Sequence, residues 1–273
     1  TPSNSSAASD VYKRQRNYWA EIDFSRFTVS LCSGITVLAL IYALANLALA
    51  LAWWYLLTGL GARTTCRWAV GNYGISQLAK YVPGNIFHLA GRQALGMAAG
   101  IPGFALVKSS VWELGLIALA GALFSFLVLP FFLTSLTTPM ATGALALVAA
   151  IVGFAVRSLS GVAAARAFVL YLGFHVVSGL IFVGLIGMLT DDCYSLPWVA
   201  VGASYVVAWL IGMLTPGAPA GVGVRELVLL FLLKNVVAES QLLLAVVLGR
   251  LVTVVGDLVF FGVAFFQIQK QKA

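Results

Sequence analysis

Long uncharged stretches set the pattern of this chain. No Asp, Glu, Lys or Arg occurs at 27–62, 114–156, 167–190 or 193–224. A helix rises about 1.5 Å per residue, so about 20 apolar residues cross about 30 Å of hydrocarbon. Each stretch holds at least one such span. Runs such as Ala144–Val152 and Leu227–Leu233 do not alternate polar with apolar, as the roughly 10-residue strands of a membrane barrel do. The pattern therefore predicts an all-α, polytopic integral membrane helical bundle.

Interruptions divide the pattern into elements. A first span at 29–57 ends in Trp53, Trp54 and Tyr55, aromatics that favour the membrane interface. The segment 68–81 is apolar but carries Asn72, Gln77 and Lys80; Pro83-Gly84 breaks it, and 85–99 resumes helical character. The two pieces read as a re-entrant hairpin of half-helices. Further spans follow at 104–133 (with Lys108 and Glu113), 139–156 and 165–189 (with His175). A second broken pair, 196–214 and 218–233, is divided at Pro216-Gly217, and the last span, 241–266, contains Arg250 and Asp257.

The breaks are related. Pro83-Gly84 is followed after seven residues by Arg92, and Pro216-Gly217 after seven residues by Arg225, an offset of 133. The same offset carries span 29–57 onto 162–190 and 104–133 onto 237–266. A hairpin returns to its own side, so each half crosses twice, and the single span 139–156 inverts the second half relative to the first. Two inverted repeats with paired broken helices mark alternating-access transporters and their relatives. The expected organisation is one transmembrane domain over 16–273: repeat one at 29–133, a linking helix at 139–156, repeat two at 162–266. Residues 1–15 are polar and low in complexity, and SDVYKRQ resembles translated adapter sequence. They are read as a non-native or disordered leader, with the natural chain expected to begin upstream and to carry a further first helix.

Composition narrows the class. Of 273 residues 61% are hydrophobic and 9% charged, and mean hydropathy is +0.99. A soluble domain holds about 25% charged residues, and one of this size cannot hide so much apolar surface. A soluble enzyme, a disordered regulator and a secreted disulfide scaffold are thereby excluded. Lys and Arg number 16 against 9 acids, too few and too scattered to track nucleic acid phosphates. Placing Arg63, Arg67, Arg157, Arg166, Lys270 and Lys272 on one side, as the cytoplasmic loop bias favours, predicts a multi-pass protein of a prokaryotic cytoplasmic membrane with a cytoplasmic C-terminus. Cys32, Cys66 and Cys193 form no CxxC and read as small apolar residues.

Candidate chemistry lies in charge at membrane depth. Lys80, Arg92, Lys108, Glu113, Arg225, Glu226, Arg250 and Asp257 sit in or beside apolar segments. Each costs about 2.5–3.5 kcal/mol at a helix centre, so each should face a cavity or a partner. Salt bridges account for any single one; Lys108 is also placed to snorkel. Half-helices after the Pro-Gly breaks would aim unpaired N–H groups into the membrane. With Arg92 and Arg225 about two turns along, they predict an anion site near the midplane. Gly217, Gly221 and Gly223 leave a wall bare for ligand or serve GxxxG-type helix packing, which Gly96 and Gly100 also fit. Tyr81, Asn85 and His88 flank the first break; His88 is either a headgroup contact or a polar packing residue, and His175 a core histidine. The chain shows no GxSxG, HExxH, Walker loop or GxGxxG, so no enzyme activity, cofactor or metal site is predicted.

The segments SQLAKYVPGNIFHLAGR (76–92) and PGAPAGVGVRE (216–226), with Glu113 between them, resemble the lysylphosphatidylglycerol synthase transmembrane-region family of flippase-like proteins. The resemblance runs from about Glu21 to the end of the chain. It implies a bundle with two re-entrant hairpins around a lipid-headgroup cavity, and it implies Lys80, Pro83, Gly84, Arg92, Gly221, Gly223 and Glu226 as site residues. No soluble stretch is long enough for the aminoacyl-transfer domain of bifunctional members, so synthesis of lysyl-lipid is not expected. The predicted function is movement or binding of a phosphate-bearing lipid, a phospholipid or polyprenyl-phosphate-linked sugar, in cell-envelope biogenesis. Membrane lipids are the expected partners. Arg92, Arg225 and the helix N-termini would hold phosphate; Glu113, Glu226 and Asp257 would balance charge or couple protons. Lys80, Tyr81, Pro83, Gly84, Asn85, His88, Pro216, Gly217, Gly221, Gly223 and Arg250 complete the candidate substrate-binding set. Two alternatives stand: a non-transporting scaffold for an envelope glycosyltransferase, which has no need of buried charge, and a small-solute or ion transporter, which needs no lateral opening to lipid.

Overall fold

A computed structural model describes residues 29–82, 87–190, 196–215 and 221–272; the leader at 1–15 lies outside them. The described residues are almost entirely helical, without strands. Helix α1 spans Val29–Gly59 and α2 spans Cys66–Gln77, tightening into a 3-10 turn at Leu78–Tyr81; α3 spans Phe87–Ala98 and α4 Gly103–Leu123. Then come α5 (Thr138–Leu189), α6 (Trp198–Leu214), α7 (Val224–Leu233) and α8 (Glu239–Lys272). Four helical segments, Val29–Gly59, Gly103–Phe131, Thr138–Leu189 and Glu239–Gln269, are long and apolar enough to cross a membrane. The chain is an all-α polytopic membrane bundle.

Helix α5 contains two of the spans expected from the sequence. Gly161 sits inside it at φ 87° and ψ 175°, a region open essentially to glycine alone. A Cβ built on Gly153 would lie 3.8 Å from the Phe168 ring. In a straight helix these residues would stand about 22 Å apart along the axis. The chain therefore folds back at Gly161 into two arms, 138–160 and 162–189.

Helices meet where small residues let backbones approach, as apolar surroundings require. A Cβ on Gly34 would strike Met188, and one on Gly59 would lie 2.8 Å from Ala163. Thus α1 runs antiparallel to the second arm of α5, its counterpart at an offset of 133. Gly71 and Gly74 of α2 lie against Ile268 and Ala264 of α8, and Gly256 of α8 against Ala39 and Tyr42 of α1. These contacts gather Arg63 and Arg67, the Arg157–Arg166 turn and the C-terminal end of α8 at one end of the bundle. Arg166 lies over the Tyr55 ring there.

One expectation is refined and one corrected. The span foreseen at 104–133 is present as Gly103–Phe131, α-helical to Leu123 and winding as 3-10 turns at Phe124–Leu127 and Leu129–Phe131. Pro130 in the second of these cannot continue an α-helix, having no N–H to donate. The helix foreseen from 218 begins at Val224, because Gly221 and Gly223 hold positive φ of 71° and 84°. Arg225 consequently sits in the first turn of α7 and not two turns along.

Candidate functional site

Within the bundle lies a cavity of about 650 Å³. Lys80 and Met213, Tyr81 and Leu214, His88 and Gly221, Leu89 and Val222, and Ile117 and Arg250 all line it. Each pair is separated by 133 residues.

Among the described residues, three ion pairs tie charges of this region together. The carboxylate of Asp257 is fully buried. It accepts hydrogen bonds from Asn46 Nδ2 at 2.9 Å and from the Tyr81 hydroxyl, and lies 2.6 Å from Lys80 Nζ. Glu113 bonds Arg92 Nη1 through one oxygen and accepts from the Tyr73 hydroxyl at 2.9 Å through the other. Arg92 is 1% exposed. Its guanidinium carbon lies 3.9 Å from the Tyr73 ring centroid and 5.1 Å from that of Trp53, a desolvated arrangement suited to cation–π attraction. Glu226 Oε1 accepts from both Nε and Nη2 of Arg250, a pair about a quarter exposed.

The predicted residues thus separate by place. Lys80, Tyr81, His88, Glu113, Gly221, Arg225 and Arg250 line the cavity. Arg225 also lies over the Tyr205 ring, 5.6 Å from its centroid. Arg92 is held behind Tyr73 by Glu113 and is absent from the cavity wall, contrary to its expected role as a direct phosphate ligand. Glu226 and Asp257 stand one residue back, each holding a cation that does face the cavity. Gly223 is not on the wall; it caps α7. Gly221 combines both readings of the glycines, since it lines the cavity and a Cβ there would lie 3.1 Å from the Gly212 backbone. Lys108 is exposed beside the Phe104 ring, away from the site. Pro83, Gly84, Asn85, Pro216 and Gly217 lie outside the described residues, so the half-helix N-termini at the breaks are not part of this geometry.

His175 behaves as a core histidine. It is 1% exposed, its Nδ1 lies 2.6 Å from the Tyr171 carbonyl, and the rings of Phe124, Phe174 and Trp209 surround it. Sequence reasoning missed Asn46, Tyr42, Tyr73, Gln77 and Trp209. Asn46 carried a signal, an amide in the middle of a long apolar span; the aromatics carried none, being common in any membrane helix. Among the described residues no cluster of His, Cys, Asp and Glu is arranged to hold a metal.

Among the described residues, Lys80, Arg225 and Arg250 bring basic groups to the wall and Glu113 a carboxylate. The rest of the wall mixes aromatic and aliphatic side chains with Gln77, His88, Thr215 and Thr253. No family model matches the chain, and no curated protein matches it.

Proposed function

We propose that this chain is a flippase-like transporter whose central cavity takes the phosphate-bearing headgroup of a lipid while the tails stay in the bilayer. The observation that carries the reading is the wall itself: five residue pairs at one constant offset line one chamber, to which Lys80, Arg225 and Arg250 bring basic groups. A chamber built by inverted halves is how one site comes to face either side of a membrane. The hairpins on either side of the 83–86 and 216–220 segments are read as re-entrant. In support, Trp54 Nε1 bonds the Thr64 carbonyl at the basic end, the tip residues Lys80 and Tyr81 reach the Asp257 carboxylate that Asn46 of mid-α1 also holds, and the return leads to Ser109 against Trp53.

Arg225, Arg250 and Lys80 are the cations that meet phosphate in this reading, with Arg92 acting through Tyr73 and Glu113 on the shape of the wall. The resemblance of 76–92 and 216–226 to the lysylphosphatidylglycerol synthase transmembrane-region family supports a role in cell-envelope lipid movement, in a prokaryotic cytoplasmic membrane with the basic end inside. Buried ion pairs argue against a purely scaffolding role, because they cost desolvation that a scaffold need not bear. Native mass spectrometry of gently extracted protein tests the reading. An anionic phospholipid or polyprenyl-phosphate adduct that weakens in Arg225→Ala supports it; protein carrying no lipid, or the same lipid in both forms, contradicts it.

A further inference from the structure

We infer that Asp257 couples the binding of an anionic phosphodiester to the uptake of one proton, with Lys80 as the partner that leaves it. The inference rests on the anion-site reading above and adds the coupling to it.

The geometry singles out one acid of three. Glu113 is tied to Arg92, which is 1% exposed and off the cavity wall, so a ligand has no access to its cation. Glu226 is tied to Arg250, which lines the cavity, but the Glu226 side chain is 23% exposed, although its Oε2 is itself buried, against 0% for Asp257. Asp257 combines a cation on the wall with a carboxylate sealed from water: Lys80 is 20% exposed, Asp257 0%.

Every element packed on α8 bears on Asp257. Helix α1 supplies Asn46 and the Tyr42 ring, and the 3-10 turn after α2 supplies Lys80 and Tyr81. The body of α2 meets α8 through Gly71 and Gly74, and the second arm of α5 through Leu185, all apolar contacts. Helix α7 brings Arg225 and Glu226 to the same region. Among the described residues bonded to the carboxylate, Lys80 alone carries charge. The ammonium lies 5.4 Å from the Tyr81 ring and 6.0 Å from the Tyr42 ring, on a flexible stem that reaches the chamber.

A phosphodiester in the chamber competes with Asp257 for this ammonium. Once Lys80 turns to the ligand, the buried carboxylate keeps only neutral hydrogen bonds. An uncompensated buried charge is expensive, and such a group neutralises instead. Asp257 then takes a proton from water and keeps Asn46 and Tyr81 as neighbours. When the anion leaves, Lys80 returns and the proton is released. The device belongs to one half only. At the matching positions of the other half stand Met213 for Lys80, Leu214 for Tyr81, Phe124 for Asp257 and Gly179 for Asn46.

Calorimetric titration of the purified protein in detergent tests this. The probes are dihexanoyl phosphatidylglycerol and glycerophosphoglycerol, the same phosphodiester without tails. Neither titrates near neutral pH, so heats in two buffers of different ionisation enthalpy count the protons taken by the protein. The wild type should take up close to one proton per ligand bound, and Asp257→Asn should bind at least as tightly with none. Uptake with the short-chain lipid alone supports coupling to a lipid-held headgroup; uptake with both supports coupling to the headgroup itself. Difference infrared spectra of the unaltered protein provide a readout independent of any variant's folding: a protonated carboxyl C=O band should appear on adding ligand. Wild-type binding without proton uptake and without that band overturns the coupling and leaves the anion site standing. Binding of neither probe overturns the anion site and the coupling together.

Discussion

Single side chains in this bundle are tied to one another across long sequence distances, and their removal has calculable consequences. Glu113 is the one acid bonded to Arg92, whose Nε and Nη2 find no hydrogen-bond partner among the described residues. Removing one partner of a buried pair costs about 3–5 kcal/mol. Glu113→Ala should therefore lower the unfolding temperature in detergent sharply, whereas Glu113→Gln, whose amide oxygen can accept from Arg92 while its NH2 donates to the Tyr73 hydroxyl oxygen, should lower it less. Equal and small effects would show that Arg92 does not depend on this carboxylate. Gly221 gives a second test. Its φ of 71° and its approach to Gly212 both exclude a side chain, and a non-glycine residue in that backbone region costs about 1–2 kcal/mol before any clash. Gly221→Ala should destabilise by more than that, while Gly143→Ala, with nothing within 4 Å of the added Cβ, should be neutral or slightly stabilising. The sequence marked Lys80, Glu113, Glu226, Arg250 and Asp257 because charge is costly in hydrocarbon. It did not show which cation each acid holds. Pairings such as Lys80 with Asp257, 177 residues apart, depend on how α2 packs on α8, and the glycines that set that packing look like any others.

Helices and turns carry the next layer. Periodicity and charge located α1, both arms of α5, α6 and α8 to within a few residues, because hydrocarbon thickness fixes span length. Local backbone chemistry was less legible. Residues Phe124–Phe131 are as apolar as the helix before them, yet they wind as 3-10 turns. Val224, rather than the residue after Pro-Gly, starts α7 because two glycines hold left-handed backbone just before it. The reversal at Gly161 is the element on which the arrangement of halves depends. Cysteines at Gly59 and Ala163, introduced after replacing Cys32, Cys66 and Cys193 with serine, should oxidise to an internal disulfide in membranes, since a Cβ at 59 would lie 2.8 Å from that of Ala163. Absence of cross-linking, judged by mobility and by mass spectrometry of the linked peptide, would contradict the antiparallel pairing of α1 with the second arm of α5.

For the whole molecule, the all-α membrane bundle is established by the described helices, and the proposed function rests on how the bundle encloses its chamber. The 133-residue offset was visible in the sequence as two Pro-Gly breaks. Its meaning was not, because nothing in a linear pattern says that residues at the same offset line one cavity. The proposed function makes Arg225 a ligand for phosphate and the chamber a passage, and both claims meet in a single experiment. Protein reconstituted into vesicles should speed the exchange of a fluorescent phosphatidylglycerol between leaflets, read as loss of fluorescence to an external quencher. Arg225→Ala, folded and inserted to the same extent, should slow that exchange by at least about tenfold, equivalent to about 1.4 kcal/mol. Vesicles containing wild-type protein that exchange lipid no faster than protein-free vesicles, across several phosphate headgroups, would contradict the account.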